Sequence, residues 1–523
     1  MGMDRRTALR LVFALWALNA LLPVFAMIHR SLTPGGGFSL SAYARMFTWV
    51  RQWALLENSL GLALATALVA ALLGLPLSLL LARTDLAGRK TLSILFVLPL
   101  LLPPTILAYG WSILLAGDGL LGKIWGHAGS SFLFSLAGGV LVLAASFLPL
   151  VLLFTMTSLL SANPRLEEAA RLSARTPRIL LGITIPQAAP ALLTALLLVF
   201  CLALGETGAP TFLRVNVFAV EGLAQFSAFY DFASATAAAT PLLLLTLLAF
   251  WGFHFFGTGR GAVLQPVPAR AGPEPIRLGR LRPCLLFFAG LLWMVLVGLP
   301  LFALVFRSAD PNAFAEALTR AGASFGRSLL YAGLGASLVL VFGFLIGYGR
   351  TGEILGYWSE AIPLFLFALP GSILGIGLIS LWNRPATGAI YGSPAILILG
   401  LLAQYTILGA WIAKSTLILI PRSMEEAAAM AGASWIIRLA QITIPLARKG
   451  LVAAWLLAFL FCLRDTGLAM VVYPPGRETL PIRLFTLMAN GRPSLISALC
   501  VLILLSAAVP FTILGFLFAR SRP

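Results

Sequence analysis

The segment that decides the fold occurs twice. It reads Pro164-Arg165-Leu166-Glu167-Glu168-Ala169-Ala170 and later Pro421-Arg422-Ser423-Met424-Glu425-Glu426-Ala427-Ala428, with one extra residue between the proline and the first glutamate of the second copy. Both copies are polar, although 60% of the 523 residues are hydrophobic and only 10% are charged. A polar segment that recurs between long apolar stretches indicates a tandem repeat within a membrane protein.

Other matches flank the two copies and keep the same order in both halves. They are Arg83-Thr84 with Arg350-Thr351, Leu102-Pro103 and Gly110 with Leu369-Pro370 and Gly377, Ile183-Thr184-Ile185-Pro186 with Ile442-Thr443-Ile444-Pro445, and Glu206-Thr207-Gly208 with Asp465-Thr466-Gly467. Because each half has the same number of apolar stretches, the halves are expected to be parallel. They should be related by a pseudo-two-fold axis along the membrane normal, with a pathway between them.

The apolar stretches predict an all-α, polytopic membrane protein with about twelve transmembrane helices, because a helix needs roughly 20 apolar residues to cross the bilayer. The predicted spans lie near 11–28, 58–82, 91–115, 132–160, 188–205, 233–256, 284–306, 327–349, 360–382, 394–419, 450–464 and 495–519. The spans 188–205 and 450–464 are short for a crossing. Residues 1–256 are predicted to form a first transmembrane domain, 257–283 a cytoplasmic linker rich in arginine, proline and glycine, and 284–523 a second transmembrane domain.

The formal net charge of +18 does not indicate a nucleic-acid-binding protein, because the basic residues form short clusters between apolar stretches. With the N-terminus in the cytoplasm, most of the 36 Lys and Arg residues fall on the cytoplasmic side, as the positive-inside rule requires. Both termini are therefore predicted to be cytoplasmic. The first apolar stretch resembles a signal peptide, but no convincing cleavage site precedes His29 and Arg30, so a retained helix is expected.

Each copy of the repeated segment is predicted to begin a short helix. In the second copy, Ser423 and Glu426 have the spacing of a capping box. In the first copy, Asn163 is a candidate N-cap and Pro164 suits the first helical position. Alone, either segment could be an interfacial loop packed on its own bundle. Two copies at matched places favour a pair of docking helices instead.

These residues resemble the signature of permease subunits of bacterial ATP-binding-cassette (ABC) importers: a glutamate-alanine-alanine triplet, a glycine after three residues, and isoleucine-x-leucine-proline after nine more. The second half fits it from Glu426 through Gly432 to Pro445, with Ile444 in place of leucine. The first half departs, since Ala174 stands at the glycine position and one residue is missing before Ile183. The chain is similar to the type I subgroup in which two six-helix domains are fused, as in ferric-iron and thiamine importers.

The resemblance implies that both segments are coupling helices that dock on a cytoplasmic ATPase dimer, with an extracytoplasmic substrate-binding protein as the other partner and the bacterial inner membrane as the location. The coupling residues that it assigns are Glu167, Glu168, Ala169, Ala170, Ala174, Glu425, Glu426, Ala427, Ala428 and Gly432. The departure in the first half leaves open whether the two helices contribute equally.

No ATP-binding G-x-x-x-x-G-K-[ST] motif occurs in the sequence; Ala413-Lys414-Ser415 lacks the glycine before the lysine. The chain is therefore expected to be no enzyme, to have no catalytic or cofactor-binding residue, and to rely on a separate subunit for ATP hydrolysis. The four cysteines lie in or beside apolar stretches without C-x-x-C spacing, and the three histidines are far apart. No metal site and no nucleic-acid partner are predicted.

Glu206 and Asp465 occupy matched positions just after the fifth span of each half. Acidic residues at membrane depth are candidates for a transport pathway, here that of a cation. The alternative is that they lie in outer loops and pair with Arg214 or Arg464.

Ferric iron is the first choice of substrate. The segment from Tyr473 to Arg483, and also Tyr230-Asp231-Phe232, resembles the corresponding outer region of ferric-iron permeases. Thiamine, aminoethylphosphonate and polyamines suit the same architecture. A different class, a secondary transporter driven by an ion gradient, would use Glu206 and Asp465 as coupling-ion sites, but it has no evident use for the paired cytoplasmic segments.

Overall fold

The protein is helical along nearly its whole length. The structure, a computed structural model, describes residues 4–33, 37–48, 50–117, 119, 121–162, 164–229, 232–257, 275–351 and 355–520. Within these ranges the only β-type pairing is one isolated bridge between Thr84 and Ile276. The predicted all-α, polytopic fold is confirmed.

Ten helices of the described residues are long and apolar enough to cross a membrane. They are α1 (Arg5–Leu32), α2 (Val50–Arg83), α3 (Leu136–Leu160), α4 (Thr176–Leu204), α5 (Ala233–Gly252), α6 (Gly279–Arg307), α7 (Ala313–Thr351), α8 (Ala395–Ile418), α9 (Trp435–Arg464) and α10 (Pro493–Pro510).

Two further predicted spans, near 91–115 and 360–382, are broken in the middle. The first bent pair joins Arg89–Leu101 to Pro104–Leu115 at 100°, and the second joins Trp358–Ala368 to Gly371–Trp382 at 103°. The break falls on the repeated Leu-Pro, because proline disfavours the helical conformation in the residue before it. Leu102 (φ −113°, ψ 143°) and Leu369 (φ −70°, ψ 132°) are accordingly extended. The total reaches twelve spans when each bent pair is counted as one.

The fifth and eleventh spans start earlier than the sequence predicted. They were expected over 188–205 and 450–464, but α4 begins at Thr176 and α9 at Trp435. Each passes through a five-residue π-helical segment just before the repeated Ile-Pro, at Leu180–Thr184 and Leu439–Thr443. A proline removes one backbone donor, so the preceding turn can widen without losing a further hydrogen bond.

The first span of each half packs on the opposite half. Helix α1 lies against the second arm of the second bent pair, and α6 lies against the second arm of the first. The matched glycines permit this contact. A Cβ atom at Gly110 would lie 2.8 Å from the carbonyl oxygen of Pro300, and one at Gly377 would lie 2.7 Å from that of Pro23.

One hydrophobic core runs across both halves as a result. It joins Trp16 and Leu107 of the first half to Leu366 and Ile407 of the second. The predicted domain boundaries stay a prediction, because most of the linker 257–283 lies outside the described residues.

Candidate functional site

The first short helix (Pro164–Arg171) holds its two glutamates in opposite environments. Pro164 is its first residue, as predicted, whereas Asn163 lies outside the described residues. Glu167 is only 4% exposed, while Glu168 points to solvent. The two adjacent carboxylates therefore have different roles.

Glu167 anchors the first short helix to the bundle. One oxygen of its carboxylate accepts a hydrogen bond from the buried guanidinium of Arg83, at the end of α2. The other accepts from the Thr184 hydroxyl at 2.8 Å, in the π-helical segment of α4. Arg83 also donates to the carbonyl oxygen of Leu159 at 3.2 Å. A buried ion pair with these additional partners holds the short helix against α2, α3 and α4.

The second short helix (Arg422–Met430) begins differently from the prediction. The expected capping box of Ser423 and Glu426 does not form, because Pro421 occupies the N-cap position and no side chain caps the helix. Ser423 already lies inside the first turn, where its hydroxyl cannot cap. The capping-box prediction was wrong, although the helix itself is present.

Glu425 is the counterpart of Glu167. Its carboxylate accepts from the Thr443 hydroxyl at 2.6 Å and from the Tyr348 hydroxyl at 3.3 Å. Arg350, which matches Arg83 in sequence, instead lies 3.6 Å from Glu360. The guanidinium of Arg5, at the start of α1, stacks on the Tyr348 ring at 4.4 Å. Both glutamates thus bind the threonine of the repeated Ile-Thr-Ile-Pro, but only the first does so with a buried arginine.

The outer face of the two short helices is exposed and partly apolar. Leu172, in the turn directly after the first short helix, is 90% exposed, and Met430, the last residue of the second, is 91% exposed. Each stands five residues after the anchored glutamate. Glu168 and Glu426 are also exposed. A matched pair of exposed apolar side chains on the same end of both halves is suited to contact another protein.

The helices end in different ways, which accounts for the departure at Ala174. Gly432 has a φ of +82°. The N–H of Gly432 donates to the carbonyl oxygen of Ala429, and that of Ala433 donates to Ala428, which is the Schellman motif. Ala174 has no left-handed backbone, and its N–H donates to the carbonyl oxygen of Ala170 at 2.8 Å.

Glu206 and Asp465 lie in the wall of a cavity between the halves. The cavity has a volume of about 70 Å³, and it is bordered by the break of the second bent pair, at Leu369 and Pro370, and by Pro104, the first residue of the second arm of the first bent pair. Among the described residues, neither carboxylate forms a salt bridge with Arg214 or Arg464. The pairing considered from the sequence does not form in this structure.

Backbone amides and a phenol hold the two carboxylates instead. The N–H of Gly208 donates to Glu206 at 3.1 Å, and the N–H of Ala469 donates to Asp465 at 3.0 Å. The hydroxyl of Tyr405 donates to the other oxygen of Asp465 at 2.6 Å.

Sequence reasoning missed several partners of these acidic residues. The repeats did signal some of them, because Arg83 and the two threonines Thr184 and Thr443 stand in matched motifs. Tyr405, the partner of Asp465, stands in no repeat and could be found only from the structure.

Comparison with known proteins places the chain beside transport permeases, although no family model matches it. The Fe(3+)-transport system permease protein FbpB 2 of Haemophilus influenzae is 21% identical over 517 residues, which cover 97% of each chain. The putative ferric transport system permease protein FbpB 1 of the same organism is 24% identical over 492 residues, covering 88% of this chain and 77% of the relative. The molybdenum transport system permease protein ModB of H. influenzae is 34% identical over 198 residues, covering 37% of this chain and 86% of the relative.

Proposed function

The chain belongs to the family of ABC importer permeases, and from that premise we propose that it is the membrane subunit through which a separate ATPase drives import. It is a multi-pass protein of the inner membrane. In our proposal an ATPase dimer in the cytoplasm docks on both short helices, a binding protein delivers the solute at the opposite end, and both termini are cytoplasmic.

The observation that carries this proposal is the matched pair of short helices. Each presents an exposed apolar side chain, Leu172 or Met430, and each is tied through a glutamate to the π-helical segment of a membrane span. A push on either helix would therefore be transmitted directly to α4 or α9. Two such devices fit a two-fold ATPase whose closure moves both halves together.

The substrate that we propose is ferric iron. Supporting it is the similarity to two ferric permeases over most of the chain, whereas the similarity to the molybdenum permease covers 37% of it. Arg483, in the outer segment that resembles ferric permeases, lies 3.6 Å from Glu478. Tyr230 and Asp231, of the other such segment, lie outside the described residues.

Affinity purification from the native membrane tests the ATPase partner. The tagged chain is expected to co-purify with an ATP-binding-cassette ATPase, identified by mass spectrometry. The double variant Leu172→Asp/Met430→Asp should retain little of the co-purifying ATPase, because a charged side chain replaces the exposed apolar side chain at each docking position.

The matched control is Phe38→Asp. Phe38 is 74% exposed but follows the opposite end of α1, so this variant should keep the ATPase. A wild-type chain that purifies without any ATPase, yet transports in liposomes under an ion gradient, would contradict the proposal and favour a secondary transporter.

A further inference from the structure

The cavity between the halves is built by the matched loops that follow α4 and α9. Besides Glu206 and Asp465, Thr466 and Gly467 of the second half line the cavity. The matched Thr207 and Gly208 of the first half lie close to them: a Cβ atom at Gly467 would lie 3.8 Å from the Thr207 hydroxyl, and one at Gly208 would lie 3.5 Å from the Thr466 hydroxyl. The two loops therefore meet at the interface of the halves.

One residue breaks this symmetry. Arg464 stands in the second half where Gly205 stands in the first. The guanidinium of Arg464 donates to the carbonyl oxygen of Leu100, across the interface of the halves, at 2.7 Å, and it lies 5.0 Å from the centre of the Phe461 ring. Gly205 has no side chain to offer, and a Cβ atom there would lie 2.9 Å from the Cα of Pro370. The cavity wall thus carries one cationic side chain, Arg464, whereas an exact two-fold repeat would supply either none or two.

A buried acceptor in the cavity has no partner. Gln404 is only 6% exposed and lines the cavity beside Tyr405. Its Nε2 donates to the carbonyl oxygen of Leu369 at 3.4 Å, but its Oε1 makes no hydrogen bond. Leaving such a buried acceptor unpaired is unfavourable, because it loses its hydrogen bonds to water without replacement. The unpaired oxygen, independently of the acidic residues, indicates a ligand that is positively charged or donates hydrogen bonds.

The charge of the cavity wall and the oxygen atoms that line it indicate the same class of ligand. Two carboxylates and one guanidinium leave a formal charge of −1 on the cavity wall. All of the acceptors are oxygen atoms, from Glu206, Asp465, Gln404 and Tyr405, and oxygen ligands suit hard cations. Among the described residues there is no group of three or more His, Cys, Asp or Glu that could hold a metal ion. The cavity therefore offers two carboxylates and neutral oxygen atoms, a set that suits the passage of a cation rather than its storage.

We propose that this cavity is a transit site for a small, hard metal cation, and that Arg464 is the resident counter-charge that the passing cation displaces. The inference rests on the proposed function and names the chemical class of its cargo. The cavity volume of about 70 Å³ is several times the roughly 10–15 Å³ that one water needs in such a cavity, so it has room for a small ion with some of its water.

Binding of gallium, a redox-inert trivalent cation, tests the proposal. The full-length chain in lipid nanodiscs is dialysed to equilibrium against gallium citrate, and bound metal is measured by mass spectrometry. Arg464→Gln removes the resident charge, so it should bind gallium at least about tenfold more tightly than the wild type. Adding Glu206→Gln to Arg464→Gln should abolish that gain, whereas adding Glu57→Gln, at an exposed glutamate, should not.

Three outcomes would overturn the inference. They are no gain in Arg464→Gln, a gain that persists after Glu206→Gln is added, and tighter binding of molybdate than of gallium by the wild type. Co-purification of the ATPase with Arg464→Gln is measured in parallel. If the ATPase is retained and gallium is not bound, the transit site alone fails; if no ATPase co-purifies even with the wild type, the proposed function fails.

Discussion

At the residue scale, substitutions of the two adjacent glutamates of the first short helix are expected to have different effects on stability. Glu167→Ala leaves the buried guanidinium of Arg83 without its carboxylate, so it should lower the free energy of unfolding by about 3–5 kcal/mol. Replacing both partners, in Arg83→Met/Glu167→Leu, should be much less destabilising because no buried charge remains. The midpoint of thermal unfolding in detergent is the measurement.

The control for this prediction is Glu168→Ala. Glu168 is exposed, and its loss should change stability by no more than about 0.5 kcal/mol. Equal effects of the Glu167 and Glu168 substitutions would show that the Arg83 pair does not anchor the helix.

Gly432 supports a second prediction at this scale. A β-branched residue is strained at its φ of +82°, whereas asparagine adopts the left-handed region more readily. Gly432→Val should cost about 1–3 kcal/mol of local strain and reduce substrate uptake by roughly tenfold or more. Gly432→Asn should keep most of the activity, and both variants should insert into the membrane normally. Equal uptake by the two would mean that the left-handed cap is not needed.

The repeats identified candidate functional residues, but they did not predict the contacts that those residues make. They placed Glu167 and Glu425 at matched positions, but they did not reveal that both turn inward to a threonine while Glu168 and Glu426 stay outside. Glu167 and Glu425 are each the fourth residue of their helix, so they share one rotational position although the second copy has an extra residue after the proline, and each further residue turns the helix by about 100°. Such a rotation is set by packing and cannot be read from a motif.

At the scale of the elements, the matched glycines of the bent pairs are testable. Gly110→Ala would place a Cβ atom 2.8 Å from the carbonyl oxygen of Pro300 on α6. It should therefore destabilise the contact between the halves by about 1–3 kcal/mol, measured as a lower unfolding midpoint. Gly290→Ala on α6 is the control, because its Cβ would meet nothing within 4 Å. An unchanged midpoint for Gly110→Ala would contradict the close packing.

The number of apolar stretches was predictable, but their shapes were not. Hydropathy measures how apolar a stretch is. It does not distinguish a straight span from the first bent pair (Arg89–Leu101 with Pro104–Leu115). The Leu-Pro repeat carried the signal for the break. The early start of α9 was hidden by Arg448 and Lys449, which are exposed. Long basic side chains of this kind can extend toward water while their stems stay in the apolar region.

At the scale of the whole molecule, the two halves have similar architectures, but they differ at the short cytoplasmic helices and in the cavity between the halves. The first short helix is held by a buried ion pair, and the second by Tyr348 with Arg5 of α1 stacked on it. In the cavity wall, Arg464 of the second half stands at the position that Gly205 occupies in the first. The expectation that both halves engage an ATPase remains a proposal, and these differences suggest that they transmit its motion by different routes.

ATP-driven uptake in proteoliposomes tests the central claim most directly. The chain is reconstituted with the ATPase and the substrate-binding protein that co-purify with it, and uptake of radiolabelled ferric iron is followed with and without ATP. We predict uptake only when ATP and both partners are present, and its loss in Leu172→Asp/Met430→Asp but not in Phe38→Asp. Uptake by the chain alone, driven by an ion gradient without ATP, would contradict the account.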